Sequence, residues 1–104
     1  MLTTPTQLQT TRLTAKIKSL LRDAIVSGRL PEGQLLLETH VANLTGSSRG
    51  PIKQAFAELH GEGRISRFDG RGFIVGSRPD KVIRAPITAR SLGLDDLAAE
   101  LAQL

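Results

Sequence analysis

Hydrophobic residues recur at steps of three and four positions along the first quarter of the chain, between residues 12 and 27. The stripe consists of Leu13, Ile17, Leu20, Leu21, Ala24 and Ile25. Basic residues fill the other faces, so the pattern predicts an amphipathic helix over 12–27. The following "SGRLPEG" contains Gly28 as a C-terminal cap and Pro31 with Gly33 as turn residues, and it ends the helix.

Two further helices are predicted after a short apolar stretch. "QLLLE" is typical of one brief strand, and residues 38–45 predict a short helix that ends at Gly46 with Val41 and Leu44 facing inward. A third helix is predicted to begin near Ser48, whose hydroxyl would accept a hydrogen bond from a first-turn amide. Pro51 falls inside that first turn, where a missing N–H has no cost.

The third helix is amphipathic and leads into a hairpin. Ile52, Phe56 and Leu59 form its buried stripe, and the glycines at 61 and 63 end it. In "RISRFDGRGFIV", Ile65 and residues 73–75 predict two short strands, and the "DG" between them is a strong hairpin signal.

These elements divide the chain into four parts. Residues 1–11 are Thr- and Gln-rich and are expected to form a flexible tail, and 12–76 form one domain. Residues 77–91 carry Pro79 and Pro86 and are interpreted as a linker. Residues 92–104 predict a short C-terminal helix that packs back on the winged domain, contacts a second subunit or starts a further domain. Its apolar stripe is Leu94, Leu97, Leu101 and Leu104.

The order of helix, turn, short strand, helix, tight turn, helix and hairpin is that of a winged helix-turn-helix. The predicted fold class is therefore mainly α with a small β-hairpin.

Composition narrows the choice of partner. The 104 residues carry a net charge of +4 with a pI near 10.4, which favours polyanions. The absence of cysteine excludes disulfides and thiolate metal sites, and it fits the cytoplasm. No apolar run has the length of a membrane span, and the N-terminus lacks the pattern of a signal peptide, so no membrane partner is expected.

The stretch "AIVSGRLPEGQLLLETHVANLTGSSRGPIKQAFAELHGEGRISRFDGRGFIV" resembles the DNA-binding domain of the GntR family of bacterial transcription regulators. The similarity covers roughly residues 12–76, and its most specific parts are "SGRLPEG", "LTGSSRGPIKQAF" and "EGRI" with the glycine wing. The resemblance implies a homodimer on double-stranded DNA, with the third helix in the major groove and the wing at the minor groove. It also implies that an effector domain follows, so an effector molecule is expected only if such a domain lies beyond Leu104.

The chain departs from the family pattern at three positions. Gly50 stands where a threonine is usual, which removes a hydroxyl that could reach a phosphate. Lys53 stands where arginine is common, so a point charge replaces bidentate recognition. Gln54 replaces a frequent glutamate. These changes leave the predicted fold intact and make the operator sequence uncertain.

The candidate DNA-binding residues lie at two helix starts and at the wing tip. Arg49 can reach a guanine edge from the first turn of the third helix, and Lys53 lies one turn further on. The start of the second helix can accept a phosphate. The complete set is Thr39, Ser48, Arg49, Gly50, Lys53, Asp69, Gly70 and Arg71. Between 49 and 78, six lysines and arginines stand against three acidic residues, which favours a phosphate-facing surface.

Other polar residues are interpreted as structural or solvated. His40 and His60 lack companions at metal-ligand spacing, so no metal site or cofactor is expected, and Ser47 and Ser48 have no base beside them for catalysis. The sequence therefore does not indicate an enzyme. Arg64 and Arg67 flank the hairpin and are interpreted as solvated charges.

Two functions remain open at the level of sequence. The first is a sequence-specific, dimeric DNA-binding regulator that binds a palindromic operator. The alternative is a winged-helix module that binds another protein and no specific DNA. Strong, salt-dependent binding to duplex DNA separates the two.

Overall fold

The computed structural model describes residues 5–70, 72–77 and 80–94, with only the backbone described for 5–11. Its elements are α1 (Pro5–Ser27), β1 (Leu35–Leu36), α2 (Glu38–Thr45), α3 (Arg49–Gly61), β2 (Ile65–Phe68) and β3 (Gly72–Val75). This is the predicted winged helix-turn-helix, with three helices and a small antiparallel sheet.

Helix α1 is longer than the hydrophobic pattern predicts. It begins at Pro5, seven residues before the expected start at 12, so residues 5–11 are helical where a tail was expected. Proline suits a first helical position because its fixed φ is already helical and its missing N–H would have no partner there. At the other end the prediction is confirmed, since the helix stops at Ser27 and Gly28 has a φ of 86°.

Helices α2 and α3 match the sequence pattern closely. Helix α2 spans the predicted 38–45, and Gly46 follows it in the left-handed conformation with a φ of 70°. Helix α3 buries the predicted stripe of Ile52, Phe56 and Leu59 almost completely. The helical period therefore located both elements correctly.

The sheet has the strand order β1-β3-β2, and both pairs of neighbours are antiparallel. The brief strand predicted in "QLLLE" is β1, which pairs Leu36 with Phe73. In the hairpin, Ile65 pairs with Val75 and Arg67 pairs with Phe73. Because strand side chains alternate between faces, these two hairpin pairs share the face that packs towards α3.

One core joins the helices to the sheet. Helices α1 and α3 form the most extensive contact between elements, and α3 also packs on α2 and β2. The buried apolar residues of α1 and α3 are Ile17, Leu21, Ala24, Ile52, Ala55, Phe56 and Leu59. Leu36, Val41, Ile65 and Val75 complete the core from the other elements. Helix α3 is thus held on three sides, and its remaining side faces outward.

Residues 80–94 pack against the domain, which corrects the interpretation of 77–91 as a plain linker. Ile83 forms a parallel bridge with Gln34: its amide donates to the Gly33 carbonyl (2.8 Å), and its carbonyl accepts from the Leu35 amide (2.9 Å). Further along, Ile87 and Leu92 are buried in the core. The prolines and charges of this segment suggested a linker, but they do not reveal its two apolar contacts with the core.

The Gln34 side chain holds the same segment. Its amide nitrogen donates to the carbonyl oxygens of Ala85 (2.8 Å), Leu35 (3.2 Å) and Ile83 (3.4 Å). Gln34 is only 7% exposed, and a buried amide has to be hydrogen-bonded to avoid a desolvation cost. The position of this segment therefore depends on a polar anchor as well as on apolar packing. The predicted C-terminal helix lies outside the described residues from 95 onward.

Candidate nucleic-acid interface

The turn between α2 and α3 is only three residues long, 46–48, and it is held by local hydrogen bonds. The Thr45 hydroxyl donates to the Val41 carbonyl (2.8 Å) and lies 2.8 Å from the Ser47 hydroxyl. The amide of Ser47 donates to the Ala42 carbonyl at 3.2 Å. A tight, hydrogen-bonded turn of this length fixes the direction of α3 relative to α2, as a helix-turn-helix requires.

Ser48 occupies the N-cap position of α3, as predicted, but its hydroxyl does not cap the helix. Its backbone is extended (φ −73°, ψ 167°), and the side chain makes no capping hydrogen bond. The expectation that Ser48 satisfies a first-turn amide is therefore wrong. The first amides of α3 and the exposed Ser48 hydroxyl remain accessible to a partner at this end of the helix.

Three of the predicted contact residues lie on one open groove. Thr39 comes from the first turn of α2, Arg49 from the start of α3, and Gly70 from the hairpin turn. Leu37 and Glu38 also line this groove, and sequence reasoning did not single them out. The starts of two helices and the tip of the wing thus meet on the same surface.

The hairpin turn has the predicted conformation. Asp69 and Gly70 have φ values of 51° and 72°, and positive φ at two successive residues is what an Asp-Gly pair favours. At the base of the wing, a Cβ on Gly72 would lie 2.8 Å from Leu37 Cδ2 and 3.1 Å from the Leu36 carbonyl oxygen. The absence of a side chain there lets β3 lie close to Leu37 beside the groove. Arg71, the remaining wing residue of the prediction, lies outside the described residues.

Lys53 lies in a second, smaller cleft, between α3 and the hairpin. This cleft is lined by Glu38, Lys53, Ala57, His60, Arg67 and Phe73. Arg67 and His60 were interpreted from sequence as solvated or surface residues, and the structure places them beside a predicted contact residue. Period-two alternation in β2 could have shown this, because Arg67 is two residues from buried Ile65 and so shares its face. Gly50 is exposed, with no atom within 4 Å of a Cβ built on it.

The opposite end of α3 is electrostatically paired. Lys18 of α1 forms salt bridges with Glu58 (3.3 Å) and Glu62, and Glu62 also pairs with Arg64 (3.3 Å). The hydrogen bond from Lys18 lowers the pKa of the Glu62 carboxyl, and the same bond raises the pKa of Lys18. These side chains are between one fifth and two fifths exposed, so water screens their attraction.

The cations beside the groove and the cleft have no such partners. In the part of the chain that the structure describes, Arg49, Lys53 and Arg67 form no salt bridge, although Glu38 lines both the groove and the cleft. Arg67 instead lies over the ring of Phe73, at 5.5 Å from its centroid. The surface formed by the helix starts, the wing turn and the cleft therefore carries three unpaired cations beside the carboxylates of Glu38 and Asp69, a net positive charge.

A helix-turn-helix with an exposed basic helix start and a hairpin beside it has the geometry of a winged DNA-binding domain. The profile of a family described as "Bacterial regulatory proteins, gntR family" matches residues 13–75. The chain belongs to the GntR family. It is a DNA-binding transcription regulator of that family, as the sequence resemblance implied. A comparison with curated proteins returned no match.

The described residues of this GntR-family chain contain neither a cluster of metal ligands nor a membrane-spanning helix. No three His, Cys, Asp or Glu side chains come close enough together to hold a metal ion in residues 5–70, 72–77 and 80–94. Over the same ranges, no helix is both long enough and apolar enough to cross a membrane.

Proposed function

We propose that this protein binds a specific double-stranded DNA operator, with α3 in the major groove and the wing at the minor groove. Arg49 reads a base edge, and Ser48, Gly50 and Lys53 face the sugar-phosphate backbone of the DNA beside that base. Thr39 at the start of α2 contacts a phosphate, and the wing tip at 69–71 contacts the neighbouring groove. The convergence of Thr39, Arg49 and Gly70 on one open groove is the observation that carries this proposal.

The proposal also covers the oligomeric state, the place of action and the effector. The protein acts as a homodimer on a palindromic operator, since two copies related by a twofold axis place two α3 helices in successive major grooves. Its site of action is then the cytoplasm, where the bacterial chromosome lies. An effector molecule enters the regulation if an effector domain follows the DNA-binding domain.

Selection from a pool of random duplexes tests the proposal, because it requires no knowledge of the operator. The full chain is used to enrich bound duplexes, and its affinity for the enriched and unselected duplexes is then compared over a series of salt concentrations. We expect enrichment of a palindromic sequence and an affinity that falls steeply as salt rises. Sedimentation with and without the enriched duplex reports whether two chains bind each site.

The outcome that contradicts the proposal is also specific. The proposal is wrong if the chain enriches no sequence and binds duplex DNA only weakly at low salt. That result would favour the protein-interaction module instead. Binding of one chain per enriched duplex would leave DNA recognition intact and contradict the dimer.

A further inference from the structure

The cleft between α3 and the hairpin carries two cations from different elements. Lys53 projects from α3 and Arg67 from β2, and both line the same cleft with His60 and Phe73. Lys53 and Arg67 are exposed, and within the described ranges neither pairs with a carboxylate. Glu38 also lines the cleft and adds a negative charge to it. With two cations and one carboxylate, the cleft favours an anion.

The hairpin orients Arg67 towards this cleft before any partner arrives. Arg67 pairs directly with Phe73 across the two strands, and its guanidinium lies 5.5 Å from the centre of the Phe73 ring. The ring is itself fixed from the α3 side by edge-on contacts with Phe56 (5.2 Å) and His60 (5.8 Å). Stacking on a fixed ring reduces the rotamer freedom that an arginine would otherwise lose on binding.

The size of the cleft limits what it can hold. Its volume is about 160 Å³, below the roughly 300–1,000 Å³ of pockets that bind small molecules. A single phosphate group needs much less room than a metabolite, and a guanidinium offers it two parallel donors. The cleft also adjoins the groove that contains Arg49, since Glu38 lines both.

We propose that Arg67 and Lys53 hold one backbone phosphate of the bound duplex between α3 and the wing, with Phe73 positioning Arg67. The proposal rests on the proposed function, because the phosphate belongs to the same DNA that Arg49 reads. It assigns DNA contact to Arg67, which the sequence pattern indicated to be a solvated charge. A phosphate contact carries no base information, so Arg67 contributes affinity and register rather than choice of sequence.

The test compares Arg67→Ala with Arg64→Ala in the full chain, using a random-sequence duplex pool and the selected operator as probes. Arg64→Ala removes the same charge from the same hairpin region, but from a residue paired with Glu62 away from the cleft. We expect Arg67→Ala to weaken binding about 5- to 10-fold at ~0.1 M salt on both probes. The salt slope should also fall, by at most about 0.9, the value for one phosphate contact, because Lys53 still faces the phosphate, and Arg64→Ala should change both quantities far less.

Phe73→Leu tests the positioning role. It should weaken binding when Arg67 is present and add nothing in the Arg67→Ala background, a coupling that loss of packing alone would not produce. Arg67→Gln keeps most of the side-chain stem and replaces Arg67→Ala if thermal melting shows that the alanine variant does not fold.

Equal effects of Arg67→Ala and Arg64→Ala, with Arg49→Ala still weakening operator binding, would overturn this inference alone. A loss at Arg67 confined to the selected operator would indicate a base contact and would also overturn it. If the parent chain binds neither probe, the proposed function fails, and this inference fails with it.

Discussion

The two ends of α3 carry charge in opposite ways. At its C-terminal end, Glu58 and Glu62 are neutralised by Lys18 and Arg64, which join α3 to α1 and to the start of the hairpin. At its N-terminal end, Arg49 and the next turn's Lys53 form no salt bridge in the described part of the chain. The charges at the C-terminal end of α3 therefore stabilise the fold, and those at its N-terminal end are available to a partner.

Charge pairing, rather than the number of charges, separates the cations that hold the fold together from those that stay available to a partner. Lys18 and Lys53 both lie on amphipathic helices, and each adds the same charge to the total. Lys18 has a structural role because it forms salt bridges with Glu58 and Glu62.

Phe56→Ala should destabilise the whole domain, and with it both the paired and the unpaired end of α3. Phe56 is 1% exposed and packs edge-on against Phe73, so its removal leaves a cavity in the core that α3 shares with the sheet. We expect the free energy of unfolding to fall by about 3–5 kcal/mol, measured by urea denaturation. A loss well below that range would mean that the core closes around the gap. DNA binding should decrease only as far as the folded fraction does.

Arg49→Ala should affect DNA binding and leave folding intact. Arg49 is exposed at the start of α3, and a lost bidentate base contact costs about 1–3 kcal/mol of specific binding. The measurement is affinity for the selected operator beside that for random duplex. Arg64→Ala is the matched control from the paired end and should change neither. Equal losses on both duplexes would show that Arg49 contacts phosphate instead of a base.

Gly70→Val should strain the wing turn that meets Arg49 at the groove. At a φ of 72° a β-branched side chain is unfavourable, by about 1–2 kcal/mol, whereas asparagine tolerates this conformation. Thermal melting should therefore separate Gly70→Val from Gly70→Asn. If both variants fold and bind DNA like the parent chain, the wing tip lies outside the interface.

Gly50→Ala should stabilise the N-terminal end of α3 slightly. Gly50 lies in the helix, and a Cβ there would meet no atom within 4 Å. We expect a gain of about 0.5–1 kcal/mol in unfolding free energy, because alanine loses less backbone entropy in a helix than glycine. This gain in stability should leave the affinity for the operator unchanged. A fall in affinity with unchanged stability would show that the DNA lies against the Gly50 backbone.

The smallest expected effect is the pH dependence of the paired end. The pKa of Glu62 is lowered in the folded protein, so its contribution to stability is present above its unfolded pKa and is lost as pH falls through the folded one. The pKa of Lys18 is raised, so its contribution is present below its unfolded pKa and is lost as pH rises through the folded one. The pair therefore contributes fully between the ordinary pKa of a glutamate and that of a lysine, and its contribution to stability fades outside that range.

Thermal melting of Lys18→Met beside the parent chain checks this window. The difference in melting temperature should be present near neutral pH and should shrink in acid, as Glu62 takes up its proton. DNA affinity of Lys18→Met at neutral pH should match that of the parent. A difference in melting temperature that persists unchanged into strong acid would mean that the Lys18 stem, rather than its charge, supports the fold.

Much of the fold followed from local signals. Helix α2 and the buried stripe of α3 were predicted from apolar spacing, because one helix face must enter a core whatever lies opposite it. Gly28 and Gly46 marked helix ends because glycine adopts the left-handed conformation at little cost. The start of α1 was missed, since Pro5 suits a helix start as well as a tail.

The candidate site was predictable only in part. Arg49 and Gly70 were singled out from a helix start and a turn signal, and the structure brings them together with Thr39 on one groove. The Ser48 hydroxyl makes no capping bond, although Ser48 occupies the N-cap position that the sequence predicted. Arg67 had a signal that was missed, since it lies two residues from buried Ile65 on β2 and shares its face, but the side of α3 that it faces is set by packing.

The element order, the C-terminal ends of α1 and α2, the hairpin turn and the excess of basic residues all follow from the sequence alone, because each depends on neighbours a few positions apart. Which cations are paired and which face an open groove depends on how the elements pack, since partners such as Lys18 and Glu62 are 44 positions apart. Tertiary packing also brings Ile83, Ile87 and Leu92 back to the domain. The Gln34 side chain holds the same segment through the Ala85 carbonyl, and isolated apolar residues show no period from which such contacts could be predicted.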